Sequence, residues 1–212
     1  MKQIIRNVIF TLILLQASWQ LRAQDFNGGL MAGVAGTQVA GDTYSGFHKA
    51  GIFAGGFVNY QVSEHSAFQM ELEFFQKGSR ENPDSTNNYS QYLFRVNYVE
   101  LPVLYQYIVN KRLKIEAGPS LGILVSFYEE RDYYEIKDGN KPASLTFQIT
   151  AGMYFFLSEK WSVNFRTNNS LVNIRSDNAT GDVMRLFPGN YGQFNDCLVL
   201  SLCYQFKPSP TW

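Results

Sequence analysis

The chain has 212 residues, with 18 basic and 18 acidic side chains and 2 histidines. That length allows one domain and hardly two, and the even charge balance lacks the clustered basic face that nucleic acid requires. An aromatic content of 16%, 17 glycines and a mean hydropathy just below zero imply apolar and polar residues interleaved at fine grain, which is a property of strands.

Residues 1–23 read as a cleaved export signal. Lys2 and Arg6 form a positive start, Val8 to Leu15 a short apolar run, and Ala23-Gln24 a cleavage point. Leu21 stands where a small residue is preferred, so the cut is placed to within a few residues. Eight apolar residues cannot span roughly 30 Å of hydrocarbon, and no later run approaches the ~20 a spanning helix needs. No cysteine lies near the signal to carry a lipid anchor. The signal holds Lys2, Arg6 and Arg22 and no acid, which leaves 15 basic against 18 acidic residues in the rest of the chain.

Period-two alternation then predicts eight strands, near residues 26–39, 50–62, 67–78, 92–108, 112–127, 144–157, 160–172 and 193–206. The fifth is the clearest. Leu113, Ile115, Ala117, Pro119, Leu121, Ile123, Val125 and Phe127 fall on one face, and Lys114, Glu116, Gly118, Ser120, Gly122, Leu124 and Ser126 on the other. Such length exceeds the usual strand of five or six residues and suits a tilted membrane strand of ~9–11 residues plus extensions. In the third, Phe68, Met70, Leu72 and Phe74 alternate with Gln69, Glu71, Glu73 and Phe75. Cys197 and Cys203 share the last strand about 20 Å apart, too far to bridge, and are expected as small interior residues.

The connections have a rhythm of their own. Those at 40–49, 79–91, 128–143 and 173–192 are long and polar, while those at 63–66, 109–111 and 158–159 are tight. Long loops outside and short periplasmic turns are the signature of an even-stranded barrel. Aromatics gather at the short-turn ends: Phe26, Tyr60, Phe68, Tyr105, Tyr107, Phe155, Trp161, Tyr204 and Phe206, with only the fifth strand lacking one. That is where an interfacial girdle belongs. The expectation is an all-β, eight-stranded antiparallel up-and-down transmembrane β-barrel over residues 24–206, with a short tail at 207–212. Pro102 and Pro119 each remove a ladder donor inside a strand. Pairing across the 109–111 turn puts them at one level, where a local bulge, with Gly118 giving the backbone room, is expected.

The segment Tyr98-Val99-Glu100-Leu101-Pro102-Val103-Leu104-Tyr105 resembles the PorT-like outer-membrane β-barrel family. Ala50 to Gly55, Glu71 to Gly78 and Ala117-Gly118-Pro119 carry the same resemblance, which covers most of the mature chain. It implies an eight-stranded barrel of the outer membrane, of the kind loosely called porins. It supplies no catalytic residue. The name-giving member takes part in protein secretion. This chain departs from the usual outer-membrane ending, because Lys207 to Trp212 follow Phe206.

Read from the residues, the inward face holds Glu71, Glu73, Lys77, Glu100, Lys114, Glu116 and Arg166. Carboxylates such as Glu71 and Glu73 suit acid–base work or a cation in principle. An eight-stranded interior is just filled by side chains, however, and mixed charges there satisfy one another. The turn at 63–66 would pair Glu71 with Phe57 and Glu73 with Gly55, with Arg166 the first partner for the acids and Lys77 or Lys114 the alternatives. A lipid-cleaving barrel enzyme would need a nucleophile beside a histidine at the membrane edge. His48 lies in the first loop and His65 in a periplasmic turn, neither near a matching Ser and acid. No phosphate loop, Cys/His metal spacing or nucleophile elbow occurs. Tyr128 to Glu135 combines acid and tyrosine in a manner suited to polar recognition.

The expectation is therefore a non-enzymatic outer-membrane protein without cofactor, structural or accessory to an envelope or secretion assembly, its lumen plugged by ion pairs. Its partners are outer-membrane lipid and other envelope proteins, around a monomeric barrel. The alternative is a small-solute channel or an exported, ligand-carrying barrel of the lipocalin kind.

Overall fold

The computed structural model describes residues 26–208 apart from 45, 138, 176–182 and 187; the expected signal segment 1–23 and residues 209–212 of the tail lie outside the described residues. Eight long strands follow in order: β1 (Phe26–Ala40), β2 (Lys49–Ser63), β3 (Ser66–Glu81), β4 (Tyr92–Ile108), β5 (Leu113–Arg131), β7 (Leu145–Phe156), β8 (Trp161–Ser170) and β9 (Phe194–Gln205). A two-residue ribbon, β6 (Tyr134–Glu135), folds back on the end of β5. Every long strand pairs antiparallel with its neighbours, β1 pairs with β9, and β4 with β5, so the sheet closes on itself.

Closure fixes the tilt. From Phe26, paired residues lead through Tyr60, Phe68, Tyr105, Ala117, Ala151, Thr167 and Leu198 back to β1 at Gly36, ten positions further on. A stagger of ten over eight strands tilts them by about 40–45° from the axis.

The three short connections are held by local side-chain oxygens. Asn110 Oδ1 accepts from the backbone N–H of Arg112 (2.8 Å) and of Leu113 (3.0 Å). Ser63 Oγ accepts from His65 N, and Ser158 Oγ from Trp161 N. Such bonds give a tight turn its own partners and so fix the register of the hairpin it joins.

Alternation sets the two faces. Leu113 is half-buried; Ile115, Leu121, Ile123 and Val125 are exposed on the outer wall, and Lys114, Glu116 and Ser120 are buried in the bore. The same holds for exposed Leu30, Ile52, Met70, Leu72, Val103, Leu200 and Leu202 around the wall. In water such a surface would be a large apolar patch; in a bilayer it faces hydrocarbon. The aromatic ring at the turn end is present too: Phe26 packs tilted against Tyr60 (4.9 Å between centroids), Phe68 edge-on against Tyr105 (5.6 Å) and Trp161 tilted against Tyr204 (4.9 Å).

The prolines behave differently from expectation. Pro102 pairs at the level of Ser120, next to Pro119, but no residue is inserted there. The ladder lapses instead: β3–β4 pairs skip from Met70↔Val103 to Glu73↔Glu100, and β4–β5 pairs from Pro102↔Ser120 to Tyr105↔Ala117. Gly118 does provide room, since a Cβ on it would lie 2.1 Å from the Val103 carbonyl oxygen. The register shift lies higher, where Asn97 pairs with Ser126 and Tyr98 with Leu124. Val125 is the extra residue. One inserted residue exchanges the faces of everything beyond it, so Phe127, expected on the lipid side, packs inward, and Glu129 is buried.

Candidate functional site

The bore is the part of the molecule where polar chemistry is concentrated. On β3 the inward row is Gln69, Glu71, Glu73, Phe75 and Lys77. β4 contributes Glu100 and Gln106, β5 Lys114 and Glu116, β7 Gln148 and Tyr154, and β8 Asn164, Arg166 and Asn168, all buried.

Arg166 stands at the centre. Its Nη1 lies 2.7 Å from Glu71 Oε2 and 3.5 Å from Glu73 Oε2, and its Nη2 lies 3.2 Å from Glu116 Oε1. Nε donates to Asn164 Oδ1 (2.7 Å), and Nη2 to the Tyr154 hydroxyl (3.3 Å). A planar guanidinium presents five donors, and here they meet three carboxylates, an amide and a phenol. Two glycines make the space. A Cβ on Gly152 would lie 2.6 Å from Arg166 Cβ, and one on Gly55 would lie 2.8 Å from Glu73 Cβ. Glu73 pairs with Gly55 and Glu71 with Phe57.

A second centre lies one layer outward. Lys77 Nζ is 2.6 Å from Glu100 Oε1 and donates to Gln148 Oε1 (2.8 Å) and Asn168 Oδ1 (2.6 Å). It also lies 4.3 Å from the Phe75 ring centroid. Lys114 is different. Among the described residues no carboxylate lies within ion-pair distance; its Nζ sits over Tyr154 (4.8 Å) and Phe156 (5.3 Å). Amides link the layers: Gln69 donates to Glu71 and to the Tyr154 hydroxyl, Gln106 to Glu116, and Asn164 to Glu116.

A third layer closes the extracellular mouth, and it was not legible as a site. Val39, Tyr92, Phe94, Val96, Tyr98 and Ile174 form a buried apolar cluster against which Tyr44, Leu124 and Phe127 pack. Above it Arg175 makes a two-pronged pair with Glu129 (2.9 and 3.3 Å), the Tyr92 hydroxyl donates to Glu129 (2.8 Å), and the guanidinium lies 4.4 Å from the Phe94 ring. The inward row Tyr92, Phe94, Val96 and Tyr98 was available as a signal, since it alternates with Leu93, Arg95 and Asn97. Ile174 and Arg175 lie in a loop and gave none.

The remaining candidates are dispersed. His65 stacks on Tyr107 in a periplasmic turn (6.2 Å), and His48 lies at the foot of the first loop. Cys197 and Cys203 are free and buried. At the end of β5 Tyr128 donates to Glu130, while just beyond it Asp132 accepts from Ser90 and Gln91, leaving Tyr133 and Tyr134 exposed. Among the described residues no group of three His, Cys, Asp or Glu is arranged to hold a metal ion.

No curated protein matches the chain. Among solved structures it is similar to Ail, the attachment invasion locus protein of Yersinia pestis. That likeness has 11% identity and a TM-score of 0.50, and it covers 86% of this chain and 99% of Ail. It is also similar to Neisserial surface protein A, with 10% identity and a TM-score of 0.54, over 84% of this chain and 97% of that one. At such identity the likeness speaks for the fold. The family described as "Outer membrane protein beta-barrel domain" matches residues 19–176, three quarters of the chain. With a closed barrel, an apolar outer wall and a charged bore already in view, the chain belongs to the outer-membrane protein β-barrel domain family and is a protein of the outer membrane.

Proposed function

We propose that this protein is a closed, non-enzymatic barrel that serves the envelope as a structural element or as an accessory of a larger assembly, and that it conducts no solutes. Export through a signal at 1–23 and a role beside secretion machinery, as the resemblance to PorT-like barrels implies, belong to the same proposal. The observation that carries it is the filled bore. Arg166 with Glu71, Glu73 and Glu116, Lys77 with Glu100, and the Ile174 cluster lie in successive layers. Breaking a buried ion pair in so narrow an interior is costly, so the plug resists opening from within. Such a barrel would offer other proteins its loops and rims.

Swelling of proteoliposomes in small sugars tests this reading. Folded protein, verified by heat-modifiable gel mobility, should swell no faster than empty vesicles. Swelling that scales with the amount of barrel and falls with sugar size would mean a small-solute channel instead.

A further inference from the structure

We propose that Arg80 and Arg95, on the outer wall of β3 and β4, bind the phosphate of a glycolipid in the outer leaflet. Both are exposed, and neither makes an ion pair or a side-chain hydrogen bond among the described residues. Arg80 pairs with Leu93, and Gly78 with Arg95, so the two arginines sit diagonally on adjacent strands. At such positions side chains start about 7–8 Å apart, within reach of one shared anion. Gly78, directly opposite Arg95, presents no side chain between them. It is held at φ 134°, and a Cβ there would lie 2.0 Å from the Phe94 carbonyl oxygen. The gap is built into the backbone.

Their height selects the ligand. At ~3.3 Å per residue and a tilt near 40–45°, each strand residue climbs about 2.4 Å along the axis. Ten residues separate Arg95 from Tyr105 of the periplasmic girdle, a climb of about 24 Å, and twelve separate Arg80 from Phe68, about 29 Å. The apolar band of a barrel is about 25 Å tall, so these cations stand at its outer border. A polar row marks that border, with Gln76 donating to Asn97 (3.2 Å) and Asn97 to Ser126 (2.8 Å). The nearest acids are engaged elsewhere: Glu130 accepts from Tyr128 and Gln91, and Glu81 from Asn87. Arg185, in the loop before β9, is by contrast neutralised in place, because it grips Asp196 through two bonds of 2.7 and 2.6 Å. The β3–β4 wall thus offers two cations at headgroup height without an ion pair among the described residues, and an anionic headgroup is the matching charge there.

The test is a binding titration of the full, detergent-folded protein with three probes: lipid A bearing its phosphates, chemically dephosphorylated lipid A, and inorganic phosphate. Phosphorylated lipid A should bind at least tenfold more tightly than the dephosphorylated form, and inorganic phosphate should not saturate in the millimolar range. The double variant R80Q/R95Q should lose that tenfold preference, while R80K/R95K, which keeps both charges and covers the case in which the neutral variant fails to fold, should retain it. Equal affinity for both lipids, an unchanged preference in R80Q/R95Q, a lost preference in R80K/R95K, or inorganic phosphate binding as tightly as the lipid would each overturn the proposal.

Discussion

The middle of the bore and its extracellular mouth are closed by opposite chemistries. The middle is polar throughout, with Arg166 and Lys77 surrounded by carboxylates and amides fixed on strands. The mouth is apolar, with Tyr92, Phe94, Val96 and Ile174 packed together and a single Arg175–Glu129 pair above. Strands supply the first; the second needs a residue delivered by the loop between β8 and β9. A network on rigid strands loses much when one member goes, because its partners stay buried and cannot relax. A cluster partly carried by a loop can collapse around a loss and so loses less.

The largest expected effect is therefore in the middle. Arg166→Ala strands three carboxylates in the bore and should lower stability by about 3–5 kcal/mol, read as a shift in the urea midpoint of unfolding from lipid. Changing Glu71 to Gln in the same chain should restore part of the loss. Absence of any recovery at Glu71, Glu73 or Glu116 would mean that the ion pairs do not support the barrel. Next comes the lipid-facing wall. Leu121 lies six residues above Ile115, near the bilayer midplane, and Leu121→Arg should cost about 2–4 kcal/mol in the same assay. A harmless arginine there would reverse the assignment of faces. At the mouth, Ile174→Ala should cost about 2 kcal/mol, at the low end for a buried isoleucine, because its segment can follow the smaller side chain.

Much of the barrel is legible in the sequence, and the reasons are local. Alternation along β5 separated Leu121 and Ile123 from Lys114 and Glu116, and the tight turn at Ser63–Ser66 carried enough constraint to set Glu73 opposite Gly55. The bulge at Val125 was not legible, since Leu124, Val125 and Phe127 suit either face by composition. Its consequence, the inward turn of Phe127 and Glu129, was hidden with it. The prolines pointed to an irregularity in the right hairpin but at the wrong level. The ladder tolerates Pro102 by leaving pairs unmade on both sides of β4, a solution that costs no register and so leaves no trace in the alternation. Ile174 and Arg175 stand outside any periodic segment, and only three-dimensional closure reveals them.

The smallest effect belongs to the rim around the mouth. Tyr44 stacks on Tyr92 (4.4 Å), and Asp42 Oδ1 accepts from Tyr44 N (3.0 Å). Burial raises the Asp42 carboxyl from its ordinary 3.8 to about 6. A carboxyl raised in the folded state favours that state while protonated, so its contribution is complete below about pH 4 and is lost as pH rises through 6. Asp42→Asn should thus protect the first loop from protease relative to the native chain at pH 8, with the difference closing by pH 4. A constant difference across that range would remove Asp42 as the cause.

The central claim is that the charged middle and the apolar mouth each close the bore, in series. Ionic current across a planar bilayer tests it most directly, with three proteins under the same voltage: the native chain, a mouth variant carrying Ile174→Ala and Tyr92→Ala, and a middle variant carrying Arg166→Ala and Lys77→Ala. All three should be silent, because each variant keeps the plug that the other lacks. Stable openings in the native chain or in either variant would contradict the account.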